Sequence, residues 1–159
     1  MRFAAIVILT FCVMEFVSYL AHRYVYHGFM WVFHRSHHRR REGVFEWNDI
    51  FPLIFSTIAI ALMAKGAYDP DGADLLAAAI GVSLYGIIYF FIHDLYIHRR
   101  ARWLKLRIPF LLKMKQAHAI HHRDGGEPYG LLLFFNRDKV EREKVDEDQD
   151  VGHLRSPAR

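Results

Sequence analysis

Cysteine is nearly absent from this 159-residue chain: Cys12 stands alone, which excludes an internal disulfide framework and any cysteine-ligated zinc or iron–sulfur site. An excess of one charge is lacking too. The 21 Lys and Arg set against 17 Asp and Glu leave a net +4, too little to argue for a nucleic-acid partner. The length admits one domain or a few membrane helices, not a multidomain enzyme. What the chain has in excess is histidine: ten of its 11 histidines fall in two short stretches.

Charge is also missing from three long apolar runs. Leu75 to Ile92 carries none, Ile50 to Gly66 carries only Lys65, and Phe3 to Ala21 carries only Glu15. At about 1.5 Å per residue each run crosses most of a hydrocarbon core of about 30 Å. The expected fold is therefore an all-α integral membrane protein with three transmembrane helices. The first run is read as a retained anchor rather than a cleaved signal, because no small-x-small site surrounds Ala21 and a histidine motif follows at once. An acid inside a span is costly, so Glu15 is expected to face a partner helix or the site rather than lipid.

Ala67 to Asp74, with Pro70 and Gly72, reads as a turn between the second and third spans. Arg23 to Asp49 and everything after His93 hold 19 of the 21 basic residues. The positive-inside rule then places these segments in the cytoplasm, with the N-terminus outside. Trp103 to Leu112, apolar but broken by Lys105, Arg107 and Pro109, is too short to span and is expected to be an interfacial helix. The membrane domain is set at residues 1–135. Residues 136–159, with six basic and seven acidic side chains, read as a charged flexible tail.

The histidines repeat a pattern. His22 and His27 form HxxxxH at the end of the first span, followed by His34, His37 and His38 as HxxHH. His93 and His98, then His118, His121 and His122, reproduce both spacings after the third span; His153 stands outside. A structural role would not enforce such a duplication, so the ten are candidate metal ligands. In HxxHH the i, i+3 and i, i+4 pairs lie about 60° and 40° apart on a helix, so three rings can converge. The HxxxxH rings would lie about 140° apart on a regular α-helix; either a π-bulge unites them or the second lies past the helix end.

Three crossings bring both repeats to one membrane face, where all ten rings can meet. Ten imidazoles suit two metals with four or five ligands each. Imidazole accepts zinc, iron, copper or nickel, so the ligands alone do not name the metal. Neutral rings leave the ions' charge uncompensated, and Glu46, Asp49 and Asp94 are candidates to orient the ring N–H groups. Aromatic residues where the spans end, Phe16, Tyr19, Tyr85, Tyr89 and Phe90, are candidates to line a substrate site. Arg99, Arg100, Arg102, Lys105, Arg107, Lys113 and Lys115 read as a basic surface for lipid headgroups or an acidic electron carrier.

His22-Arg-Tyr-Val-Tyr-His27-Gly, His34-Arg-Ser-His37-His38, Gly43-Val-Phe-Glu-Trp-Asn-Asp49, Tyr85-Gly-Ile-Ile-Tyr-Phe-Phe-Ile-His93-Asp94 and His118-Ala-Ile-His121-His122 occur in that order. Over roughly residues 10–135 the chain resembles the bacterial beta-carotene 3-hydroxylase family, within the membrane fatty acid hydroxylase superfamily. The resemblance implies a non-haem di-iron monooxygenase that uses O2 to hydroxylate carbon 3 of β-ionone rings, taking beta-carotene through cryptoxanthin to zeaxanthin. It implies all ten repeated histidines as metal ligands, a carotenoid substrate, and an external electron donor for which ferredoxin is the expected candidate. Zinc can occupy such a site in purified protein. Three helices make a thin bundle, so a homo-oligomer is physically reasonable.

Two other readings compete. Hydroxylation of another lipid, such as a fatty acyl chain, a sterol or a keto-carotenoid, or ketolation of the ring, keeps the same chemistry. A metal transporter or storage protein does not, and it would need polar residues through the bilayer midplane, where Ile50 to Ala64 and Leu75 to Ile92 offer almost none.

Overall fold

A computed structural model describes residues 1–39 and 43–133. Five α-helices occur in them: α1 (Arg2–Leu20), α2 (Trp31–His34), α3 (Ile50–Tyr68), α4 (Ala73–Tyr89) and α5 (Pro109–Asp124). Among the described residues there is no strand. The tail expected from Asn136 onward lies outside them.

Three helical stretches, Arg2–Phe29, Trp47–Tyr68 and Ala73–Ile97, are long and apolar enough to cross a membrane. Ile8, Leu9, Leu53, Ile60, Ile87 and Phe91 are exposed on their outer faces. Such a belt costs nothing where lipid, not water, is the neighbour.

The bundle centres on α4, which packs against both α1 and α3. The α3–α4 turn is tight: a Cβ on Gly66 would stand 2.5 Å from the Leu76 nitrogen, and one on Gly72 2.3 Å from the Gly66 oxygen. On the other side, a Cβ on Gly81 would stand 2.6 Å from the Val7 carbonyl oxygen, so α1 and α4 cross with backbone nearly touching backbone. Gly81→Ala is therefore expected to destabilise the bundle by about 1–3 kcal/mol. Thermal unfolding in detergent checks this, with Gly86→Ala on the same helix as the control, because a Cβ there meets nothing within 4 Å.

The first and third spans do not end as regular α-helices. Each widens into a π-helical stretch, Ala21–Phe29 and Phe90–Ile97; the first carries His22 and His27, and the second carries His93 with His98 at its cap. The Met30 N–H donates to the Val25 carbonyl and the His98 N–H to the His93 carbonyl, both i to i−5. That repeat sets residues five apart side by side. The rings of His22 and His27 stand 5.0 Å apart between centroids and those of His93 and His98 4.6 Å. His98 also lies just beyond the end of its helix, so both geometric solutions are used there.

The interfacial helix expected over Trp103 to Leu112 is not formed as drawn. Trp103–Ile108 is irregular, and the helix starts only at Pro109. Proline disfavours helical geometry in the residue before it while suiting a helix's first turn, and Ile108 is accordingly extended (φ −87°, ψ 123°). The resulting α5 carries His118, His121 and His122 inward, over a small core of Tyr96, Ile97, Met114, Ala119 and Leu131. It stops at Gly125, whose left-handed φ of 71° lets its N–H reach the His121 carbonyl.

Candidate metal centre

All ten repeated histidines gather at one end of the bundle, as three crossings require. Nine of them form two clusters in which one nitrogen from each ring lies within 4.8 Å of the others: His22, His27, His34, His38 and His121, and His37, His93, His98 and His118. The division does not follow the motifs. Each HxxHH box sends its middle histidine to the opposite cluster, so His37 leaves the first repeat and His121 leaves the second. Helical spacing allows the three rings of a box to lie on one side, but here each box is shared between the clusters. In the first box α2 ends at His34 and the chain continues in turns, which swings His37 away from His34 and His38.

The exchange relates the two repeats in a pseudo-twofold way, and the tenth ring, His122, falls in neither cluster. His122 holds the position in the second repeat that His38 holds in the first. Its ring stands 4.8 Å from those of His37 and His98 and 4.5 Å from that of His118, and stacks on His38 at 4.2 Å. Both His122 nitrogens are buried without a hydrogen-bond partner, as is Nδ1 of His38. Buried orphan nitrogens are costly, and since a neutral imidazole has a single lone pair, a cation would satisfy one nitrogen of the His122 ring.

The nitrogen spacing fits ligation. Nε2 of His22 lies 3.1 Å from Nε2 of His34, Nε2 of His27 lies 3.0 Å from Nε2 of His121, and Nε2 of His37 lies 3.2 Å from Nε2 of His93. Two nitrogens bound to one ion at about 2.1 Å and at right angles sit about 3.0 Å apart. Protonated rings could not be packed this way. Burial pushes the imidazoles of His34, His37, His118 and His122 well below the ordinary histidine value and that of His121 to about 3, with neighbouring rings adding to the effect. Neutral rings present the lone pairs a metal needs.

The opposite ring nitrogens are held from behind. Nδ1 of His22 donates to the Tyr129 carbonyl at 2.8 Å, Nδ1 of His34 to Asn48 Oδ1 at 2.7 Å, and Nδ1 of His121 to the Gly126 carbonyl. Nδ1 of His93 donates to Asp94 Oδ2 at 3.2 Å, and Nδ1 of His37 faces Glu46 Oε2 at 3.5 Å. Two of the three acids singled out in the sequence thus face a ring. Asp49 is placed differently: its Oδ2 accepts the Glu46 N–H at 2.9 Å, and its carboxylate pairs with Arg100. Arg100 is not part of an open basic surface; its side chain is 17% exposed and lies between Asp49 and Asp94.

Asn48 and the two carbonyls after α5 carry no sequence signal. The segment bearing those carbonyls is fastened by Glu15. This acid is 6% exposed and accepts the N–H groups of Leu132 and Leu133 at 2.9 Å each and the Tyr85 hydroxyl at 2.8 Å. The charge in the first span therefore faces a partner helix and a strap of chain over the site.

A cavity of 540 Å³ lies between α1, α3 and α4. It runs from exposed rim residues Ile60, Ile87 and Phe91 to His34 of one cluster and His93 of the other. Tyr85, Tyr89 and Phe90 line it; Phe16 and Tyr19 do not. Phe16 points outward from α1, and Tyr19 donates to Glu127 Oε1 at 2.9 Å.

A family model described as "Fatty acid hydroxylase" matches residues 7–140. The chain belongs to the fatty acid hydroxylase family. Among curated members, the "Beta-carotene hydroxylase" of Pseudescherichia vulneris is 38% identical over 133 residues, 80% of this chain and 74% of that one. The protein of the same name from Pantoea ananas is 35% identical over 136 residues, 81% of this chain and 75% of that one. "Beta-carotene 3-hydroxylase 1, chloroplastic" of Arabidopsis thaliana is 39% identical over 125 residues, 76% of this chain. The chain spans 40% of that plant relative's length. No solved structure matches it. The two histidine clusters at the end of the bundle fit a metal-dependent oxygenase of the fatty acid hydroxylase family.

Proposed function

We propose that the protein is a membrane-bound carotenoid hydroxylase that places a hydroxyl on carbon 3 of each β-ionone ring, taking beta-carotene through cryptoxanthin to zeaxanthin. The observation that carries this reading is the apolar cavity, which leads from the lipid-facing side of α3 and α4 to one histidine of each cluster. The names of the bacterial relatives support the same substrate class.

The ten repeated histidines are the ligands of two iron ions in this reading, five to each, with His122 completing the second set. Iron with O2 supplies the oxidising power to functionalise an unactivated methylene, which no acid, base or nucleophile of the chain has. The protein's own part is positioning and exclusion. Tyr26, Phe51, Phe55, Tyr85, Tyr89 and Phe90 wall the cavity with apolar and aromatic surface, so an end ring enters while the rest of the polyene remains in lipid. Asn48 and Asp94 accept from the rings of His34 and His93 and Glu46 faces that of His37, which keeps the other ring nitrogens aimed inward. Electrons come from an external donor such as ferredoxin, and the site faces the cytoplasm, where the positive-inside rule puts the basic loops.

Expression in a bacterial host that accumulates beta-carotene tests the proposal. Cryptoxanthin and zeaxanthin are the expected products, and iron should co-purify at two ions per chain. Unchanged beta-carotene beside newly hydroxylated acyl lipid would assign the site to another substrate. Ring ketones without hydroxyls would assign it to ketolation.

A further inference from the structure

The pseudo-twofold relation between the clusters fails in one respect. Behind the first cluster, the acceptors on Nδ1 of His22, His34 and His121 are neutral oxygens: the Tyr129 carbonyl, the Asn48 amide and the Gly126 carbonyl. Behind the second, the oxygens that face Nδ1 of His93 and His37 are carboxylate oxygens, of Asp94 and Glu46. Among the described residues, no carboxylate is paired with a ring of the first cluster.

The two acids belong to one charged framework. Arg100 Nη1 donates to Asp49 Oδ2 at 3.3 Å, and its Nε faces Asp94 Oδ1 at 3.4 Å. Asp49 in turn accepts the Glu46 backbone N–H at 2.9 Å. One guanidinium therefore fixes Asp94 directly and Glu46 through Asp49. This joins the turn before α3 to the chain just after the third span.

We infer that the clusters are unequal metal sites, the second made the tighter by carboxylates that Arg100 holds behind His93 and His37. The inference rests on the reading that both clusters bind metal. An imidazole whose N–H donates to a carboxylate is a more basic ligand than one donating to an amide or carbonyl, because the bond is charge-assisted and draws the proton away from the ring. The carboxylates also offset the charge of the ion. With His122 counted, both clusters have five rings, so the number of ligands does not differ. Arg100 and Asp49 act as positioning residues, since neither faces a ring.

The test is an equilibrium competition for Zn²⁺ between the full-length protein in detergent and a chromophoric chelator. Two release steps are expected, separated by about tenfold or more. Asp94→Asn should weaken the tight step by about 10–100-fold and leave the weak step in place. Arg100→Gln should lower the tight step by a smaller factor. Asn48→Asp should instead strengthen the weak step, by giving His34 the carboxylate it lacks, a gain that misfolding cannot imitate. A single affinity for both ions, or Asp94→Asn and Arg100→Gln acting on the weak step, would overturn the inference while leaving the dinuclear reading intact. Failure to hold two ions at all would overturn that reading itself.

Discussion

His121→Ala is expected to abolish hydroxylation, by at least about 100-fold, and to lower bound metal from two ions toward one. Removing an outer partner of a ligand already costs about 10–100-fold, and a ligand itself costs more. His121 is fully buried, and its Nε2 lies 3.0 Å from Nε2 of His27. It is also the one ring that α5 contributes to the first cluster, while His118 belongs to the other and the His122 ring stands 4.5 Å from that of His118. The change should therefore empty the cluster that its own motif does not otherwise build. His37→Ala is the mirror experiment and should empty the second. Metal analysis beside product analysis separates this from general unfolding, because one ion is retained. His153→Ala, outside both repeats, should change neither. Two bound ions and wild-type turnover in His121→Ala would remove this residue from the ligand set.

That exchange shows where a one-dimensional reading stops. The three spans are visible because hydropathy is a local property, and an odd number of crossings is enough to send both histidine repeats to one end. The HxxxxH spacing conflicts with a regular α-helix, and that conflict already points to the π-helical widening at Ala21–Phe29 and Phe90–Ile97. Which ring serves which cluster depends on a near-twofold relation between segments about 70 residues apart in sequence, such as His22 and His93, and no local pattern encodes it. The supports behind the rings are equally hidden. A backbone carbonyl such as that of Tyr129 has no letter of its own, and Asn48 resembles any polar residue in a loop. Arg100 reads like its basic neighbours until Asp49 and Asp94 are brought to it from either side. The helix predicted from Trp103 fails for a reason the sequence did contain: Pro109 withholds helical geometry from the residue before it.

The cavity gives the other large effect. Gly86→Phe is expected to cut carotenoid hydroxylation by at least about tenfold while two metal ions stay bound. Gly86 lines the cavity on α4, beside Tyr85 and Tyr89, and a Cβ at this position meets nothing within 4 Å. The new ring therefore fills the cavity proposed for the substrate without forcing the backbone apart. Within a helix, replacing glycine also removes a conformational cost of about 0.5–1 kcal/mol, which works against destabilisation. Loss of turnover in a well-folded, fully metallated variant isolates blocked access from a damaged centre. Gly86→Ala should remain close to wild type in both activity and unfolding temperature. Gly81→Ala, one and a half turns away on the same helix, lowers stability through its contact with Val7 and leaves the cavity open. Unimpaired hydroxylation by Gly86→Phe would mean that the substrate reaches the histidines by a path other than this cavity, and lipid access would have to be sought on another face of the bundle.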